Sequence, residues 1–259
     1  VVSYIVRSVD ELLRTEFGLE DGLADTTTWG AMAGRHKDLK IPEGVPPDQA
    51  FVQILDPATG TGPFLVEVID LVRRRMEEKW KRDGELPLNY HNLWNEYVPR
   101  HLLPRLHGYE LLMAPYAIAH LKIGLKLYET GYRFGSTERA RVYLTNALEP
   151  ASDIQLRTIA LPALAHEAQA VNEIKRKQRF TVVIGNPPYA GISSNMNEHA
   201  QHIVDAYRFV DGGALNERKL WLQDDYVKFI RKAQTTIEEA RVGVFGFITN
   251  HGYLDNPTF

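Results

Sequence analysis

Apolar residues recur along this chain in two rhythms. In VVSYIVRSVDELLR, Val1 to Arg14, the residues Val2, Ile5, Val6, Val9, Leu12 and Leu13 fall three and four apart, the spacing of one helix face. The same spacing predicts helices over Phe64–Arg82, Ala114–Glu129, Ile159–Arg179 and Asp224–Ala240. Between them lie short apolar runs, FVQIL (Phe51–Leu55), LHGYE (Leu106–Glu110), RVYL (Arg141–Leu144), FTVVI (Phe180–Ile184) and VGVFGFIT (Val242–Thr249), each read as a strand. Strands alternating with helices predict an α/β fold built on a doubly wound, mostly parallel sheet. One domain over residues 1–259 is expected: a leading helix in 1–17, an irregular Gly-, Pro- and Thr-rich connection in 18–50, and the α/β core in 51–259. A polar stretch carrying Pro87, Pro99 and Pro104 joins the Phe64–Arg82 helix to the LHGYE strand, and no internal repeat or low-complexity tract is read along the chain.

Composition narrows the chemistry. The 259 residues are 44% hydrophobic and 24% charged, ordinary values for a globular protein. No apolar run approaches the roughly 20 residues of a membrane-spanning helix, and no leader is read at the start, so a cytoplasmic setting without membrane attachment is expected. The absence of cysteine removes disulfides, thiolate metal sites and cysteine nucleophiles from consideration. A net charge of −3 argues against a domain wrapped in nucleic acid while leaving room for local basic patches. The chain opens on Val1 and stops at Asn256-Pro257-Thr258-Phe259, just past a strand-like run, and is therefore expected to be a piece of a longer polypeptide with its sheet cut short after the fifth strand.

In an open parallel sheet, ligands bind beyond the carboxyl ends of the strands, and four polar clusters fall there. The first is the loop DPATGTGPFL after the first strand, with Asp56, Ala58, Thr59, Gly60 and Gly62. It lacks the Lys-Ser/Thr of a phosphate-gripping loop and does not complete the dinucleotide fingerprint. Its glycines allow close backbone approach, and Asp56 suits a cationic or amine-bearing ligand. Glu110, with Leu111 beside it, follows the second strand in a position suited to ribose hydroxyls. Asn146 and Ala147 follow the third strand, where the amide suits an adenine edge. Taken singly, Glu110 and Asn146 read equally as helix caps. Together the clusters describe a nucleoside with a cationic tail, which is S-adenosylmethionine.

The fourth cluster, VVIGNPPYAG, ends an apolar strand on Asn186-Pro187-Pro188-Tyr189. The prolines exclude helix and stiffen the turn. An exocyclic amino group on a base is a poor nucleophile until hydrogen-bond acceptors localise its lone pair. The Asn186 side-chain oxygen and the Pro187 carbonyl are suited to accept those bonds from a preorganised turn, and Tyr189 to stack on a base drawn out of its helix.

These residues carry a resemblance. NPPY, preceded by DPATGTGPFL and by an apolar VVSYIV helix, resembles the amino-methyltransferases that modify adenine N6 in DNA, in the motif order of their gamma group. GYELLMAPYAIAHLKIGL, VYLTNALEP and VVIGNPPYAG resemble the methyltransferase part of large single-polypeptide restriction-modification enzymes. The resemblance implies a Rossmann-like methyltransferase fold, S-adenosylmethionine as cofactor, and methyl transfer to N6 of a flipped adenine in double-stranded DNA. It also implies nuclease, helicase-like and target-recognition parts elsewhere in the same polypeptide. By residue, it implies a catalytic Asn186, Pro187, Pro188 and Tyr189, cofactor contacts from Asp56, Ala58, Gly60, Gly62 and Glu110, and a segment from Val2 to Tyr4 lining the methionine end. Asn146 departs from the pattern, since many relatives have Asp there. Two further readings stay open: the same NPPY chemistry on the side-chain amide of protein glutamine, and a cofactor-binding module that is not itself catalytic.

Some features read as ordinary surface. Arg73-Arg74-Arg75, Lys79 to Arg82 and Lys175-Arg176-Lys177 fall at helix C-terminal ends, where cations favour the helix dipole, so a solvated face is expected rather than a phosphate track. His199 and His202 beside Glu198 lack a third well-spaced ligand, so no metal site is expected. Asp211 to Lys219, DGGALNERK, reads as a loop that either orders on DNA or is an ordinary connection.

Overall fold

A computed structural model of the chain describes residues 1–135, 138–151, 162–189, 198–210, 213–214 and 223–255. Its centre is a five-stranded sheet. Strands β1 (Ile54–Asp56), β2 (Leu106–Glu110), β3 (Arg141–Leu144) and β4 (Val182–Gly185) are joined, beyond a two-stranded antiparallel hairpin of β5 (Phe209–Val210) and β6 (Gly213–Ala214), by β7 (Val244–Phe247). The order is β3-β2-β1-β4-β7 and every pairing within this sheet is parallel.

Alternation along the strands divides the core. Ile54, Leu106, Val142, Val182 and Ile184 belong to one apolar cluster, with α1 (Val2–Thr15), α2 (Trp29–Arg35), α3 (Pro63–Arg82), α4 (Tyr90–Tyr97) and α5 (Met113–Glu129). Leu55, Tyr109 and Tyr143, one residue out of phase, belong to the other, with α6 (Pro162–Lys177), α7 (Glu198–His202) and α8 (Asp225–Ala240). This is the period-two signature of a sheet buried on both faces. The crossover from β1 to β2 runs through α3 on the first face, and that from β4 to β7 through α8 on the second. The chain therefore leaves neighbouring strands β1 and β4 toward opposite faces, which opens a crevice at their carboxyl ends.

The expected strand and helix elements are present, with shifted bounds. The first strand starts at Ile54 rather than Phe51, because Phe51 and Gln53 bond instead to the Thr181 side chain: its hydroxyl accepts from Gln53 N at 3.0 Å and donates to Phe51 O at 2.6 Å. The predicted helix from Ile159 is described from Pro162, its first residues lying outside the described set.

Residues 18–50 are not wholly irregular. Thr28 caps α2, its hydroxyl accepting from Ala31 N at 3.3 Å, and Trp29 is fully buried with its ring edge-on to Phe51 at 4.7 Å. The stretch with Pro87 and Pro99 holds α4 and a further helical turn, Val98–Leu102. The basic runs of α3 are not a free solvated face either. Arg75 pairs with the fully buried Asp10 of α1 at 2.6 Å, whose other oxygen accepts Leu23 N at 2.9 Å. Lys79 and Arg82 both pair with Asp21, at 2.8 and 2.7 Å. These cations fasten the leading helix and the segment after it to α3.

Candidate active site

The loop after β1 is built from within. Asp56 is buried, and its Oδ1 accepts the Ala58 N–H at 3.1 Å. Burial pushes its carboxyl up to about 8, with the Ala58 bond opposing and the nearby Glu110 charge reinforcing the rise. Thr59 is also buried, donating its hydroxyl to Asp56 O at 3.0 Å and its N–H to Tyr109 O at 2.9 Å. Gly60 and Gly62 turn the chain with positive φ, +55° and +83°, a conformation that costs other residues strain. A Cβ on Gly60 would meet nothing within 4 Å, so the loop leaves open space at this point. Pro63 then starts α3, where its missing N–H costs nothing.

Glu110, at the end of β2, joins two loops. Its Oε2 accepts Gly60 N–H at 2.7 Å and its Oε1 accepts Leu112 N–H at 2.7 Å. Each carboxylate oxygen retains capacity for a further donor.

Asn146, after β3, uses Oδ1 to accept Leu148 N–H at 3.0 Å and Nδ2 to reach Glu149 Oε1 at 3.2 Å, closing a local turn rather than capping a described helix, and it also borders the cleft described below. Lys175, expected on a solvated face, is instead partly buried against this loop. Its ammonium donates to Thr145 Oγ1 at 2.9 Å, Asn146 O at 2.7 Å and Glu149 O at 3.0 Å. Burial draws it down to about 8, helped by the Lys232 charge and opposed by Glu149.

The Asn186–Tyr189 turn leaves β4 through Gly185. A Cβ at Gly185 would lie 2.9 Å from Asp56 Oδ1, so the absence of a side chain lets the two loops approach. Asn186, Pro188 and Tyr189 are exposed and Pro187 is buried. The Tyr189 hydroxyl oxygen lies 2.7 Å from both Asn186 Oδ1 and the Ile248 carbonyl oxygen, and the residue is 47% exposed.

These loops border one cleft of about 470 Å³, within the size range of small-molecule sites. Ala58, Gly60, Glu110, Leu111, Asn146, Ala147, Asn186 and Pro188 all line it. Asp56 and Thr59 instead lie buried behind the loop, where they hold its shape. Tyr4 stands on α1 with 68% of its surface exposed, outside the lining, as are Gly62, Pro187 and Tyr189. Sequence reasoning missed Tyr109, Leu112, Pro115, Thr145, Asp225 and Phe229, which complete the walls together with Pro57 of the glycine loop. The signal for Asp225 was its place at the start of α8, directly after the capping Asp224.

Among the described residues, no three His, Asp or Glu side chains come together as metal ligands. His202 pairs with Asp205 at 2.6 Å. No described helix is long and apolar enough to cross a membrane. Of Asp211 to Lys219, all but Gly213 and Ala214 lie outside the described residues.

The model of the family described as "Eco57I restriction-modification methylase" matches residues 109–258. Among solved structures, the chain is similar to a nuclease-deletion mutant of the Type ISP restriction-modification enzyme LlaGI in complex with a DNA substrate mimic. That match has a TM-score of 0.67 and 25% identity, over 98% of this chain and 18% of the other. The ATP-dependent Type ISP restriction-modification enzyme LlaBIII bound to DNA matches with a TM-score of 0.66 and 24% identity, over 100% of this chain and 15% of the other. A DrdV–DNA complex matches with a TM-score of 0.63 and 22% identity, over 100% and 20%. The chain thus spans a fifth or less of the length of these proteins. No curated protein matches.

Proposed function

Because the chain belongs to the Eco57I restriction-modification methylase family, we propose that residues 1–259 form the S-adenosylmethionine-dependent methyltransferase domain of a larger restriction-modification polypeptide. On this reading it methylates the N6 amino group of an adenine turned out of duplex DNA. Its partners are that DNA and the nuclease, helicase-like and target-recognition parts of the same polypeptide, working in the cytoplasm.

The supporting observation is that Gly60 and Glu110 share one cleft with Asn186 and Pro188. The residues fit the cofactor: a glycine whose missing Cβ leaves room, a carboxylate with capacity for ribose hydroxyls, and a cleft of nucleoside size. When bound, S-adenosylmethionine supplies an electrophilic methyl group on a sulfonium centre. Glu110 would hold the ribose, Asn146, Ala147 and Leu111 would contact the adenine, and Ala58 and Gly60 would meet the amino-acid part from a loop whose shape Asp56, Thr59 and Gly62 maintain; Tyr4, outside the cleft lining, would reach it only from α1. On the target side, the Asn186 side-chain oxygen and the Pro187 carbonyl accept hydrogen bonds from the amino group, which concentrates its lone pair on nitrogen. Pro188 keeps both acceptors aimed and the Tyr189 ring supports the base. An amino group held by these two acceptors would give up its proton to solvent only after alkylation has made it acidic, so no side chain has to act as a strong base.

The DNA reading is preferred to protein glutamine because the similar LlaGI and LlaBIII structures are complexes with DNA or its mimic. Incubating the full-length parent with methyl-labelled S-adenosylmethionine and either duplex DNA or a glutamine-bearing peptide tests it. Label at adenine N6, lost in Asn186→Ala, is expected. Label in the peptide alone, or undiminished DNA labelling by Asn186→Ala, overturns the reading.

A further inference from the structure

We infer that the Tyr189 hydroxyl is a positioning group that sets which way round the Asn186 amide sits, so that its oxygen and not its nitrogen faces the cleft. The inference rests on the proposed function for the site, and adds to it a role for the tyrosine distinct from that of its ring.

The argument is one of proton counting. The Tyr189 oxygen lies 2.7 Å from Asn186 Oδ1 and 2.7 Å from Ile248 O. A phenol carries one proton and can donate to only one of these two acceptors. The other contact would then place two oxygens at hydrogen-bond distance with no proton between them. Turning the Asn186 amide by half a turn about its last bond exchanges its oxygen and nitrogen, which have nearly the same shape. Nδ2 then donates to the Tyr189 oxygen, and the Tyr189 hydroxyl donates to Ile248 O. Both short contacts are satisfied, in one directed chain from Asn186 through Tyr189 to Ile248.

The far end of that chain is fixed. Ile248 follows β7 and its N–H donates to Gly185 O at 3.0 Å, the residue before Asn186. The residue directly after the neighbouring strand thus grips the proposed catalytic turn at two points, the backbone at Gly185 and the hydroxyl at Tyr189. A backbone carbonyl can only accept, so the direction of the chain cannot reverse. Among the described residues the second terminal atom of the Asn186 amide has no partner, and Asn186 lines the cleft. With the amide turned, that open atom is the oxygen, an acceptor for an incoming amino group. In the opposite orientation the cleft would meet an NH₂, which repels another amino group.

Tyr189→Phe keeps the ring and removes the chain. The test uses the full-length parent with duplex DNA carrying either adenine or the fluorescent analogue 2-aminopurine at the target. The expected result is a single-turnover methylation rate lowered about 2- to 12-fold, the worth of one neutral hydrogen bond, with KM for DNA and the flipped-base fluorescence unchanged. A wild-type rate in Tyr189→Phe overturns the inference. So does a fall accompanied by loss of the flipped-base signal, which would assign the effect to the ring's placement. Asn186→Ala run in parallel separates the two levels: if it methylates normally, the proposed function fails. If it is inactive while Tyr189→Phe is unimpaired, only the positioning role fails.

Discussion

Glu110 Oε2 accepts the Gly60 N–H at 2.7 Å, across fifty residues of sequence, while its other oxygen accepts Leu112 N–H at the same distance. The side chain is thus both a wall of the cleft and the clamp that holds two of its loops in register. Glu110→Gln presents an NH₂ to one of these two N–H groups, setting donor against donor. Loss of one charge-assisted hydrogen bond, about 1.5–3 kcal/mol, weakens cofactor binding about 10- to 150-fold. Calorimetric titration of S-adenosylmethionine checks it, and unchanged affinity would remove Glu110 from the site.

Asp56 gives the protein a pH-dependent stability. Its carboxyl is pushed from 3.8 up to about 8 in the folded chain, chiefly by burial. Between those values the folded state holds a proton that the unfolded state has lost. The contribution is therefore full below about pH 4 and is lost as pH rises through about 8, amounting to a few kcal/mol. Asp56→Asn mimics the neutral carboxyl at every pH. Urea unfolding is expected to give the variant near-parental stability at about pH 4 and a growing advantage over the parent up to about pH 8, and equal pH slopes for the two proteins across that window would refute this.

Lys175 behaves in the opposite sense. Its folded value of about 8 lies below the ordinary 10.5, so the folded chain sheds the proton first and stability rises with pH between the two. Neutral lysine keeps only two donors for Thr145 Oγ1, Asn146 O and Glu149 O, so the loop bearing Asn146 loosens in the same window. Lys175→Met keeps the aliphatic stem and is expected to weaken cofactor binding about tenfold at pH 7, an effect of one to two hydrogen bonds. In an Asp56→Asn background, affinity is expected to decline above pH 8 with Lys175 present and to stay flat with Met. Calorimetry across pH 7 to 9.5 distinguishes the two profiles.

The strand–helix alternation, the glycine loop, Glu110 and the Asn186 turn were legible because each is a local pattern whose chemistry follows from adjacent residues. Four things were not. α2 is seven residues long, too short for helical periodicity to register, and its burial depends on Trp29 meeting Phe51, twenty-two positions away. Lys175 carries the same local signature as a dipole-favoured cation at a helix end, and only the fold brings it to acceptors 26 to 30 residues earlier. Asp225 and Phe229 reach the cleft because α8 packs on the second face of the sheet, which no spacing near Gly60 encodes. The burial of Asp56 and Thr59 behind their loop was hidden for a related reason: a strand-end acid points into a ligand or into the protein with the same sequence.

The strand order also dictates a timetable for folding. β1, β2 and β3 can pair in the order in which they are made, but β4 inserts beside β1, joining Ile54 to Val182, with Thr181 locked to Phe51 and Gln53 by hydrogen bonds spanning 130 and 128 residues. Closing so long a loop is entropically late. A nascent chain that has reached β3 already holds the glycine loop, Glu110 and Asn146, yet has no Asn186. The half of the cleft assigned to the cofactor is thus assembled before the half assigned to the target, and the proposed methylation would be a readout of the last strand pairings to form.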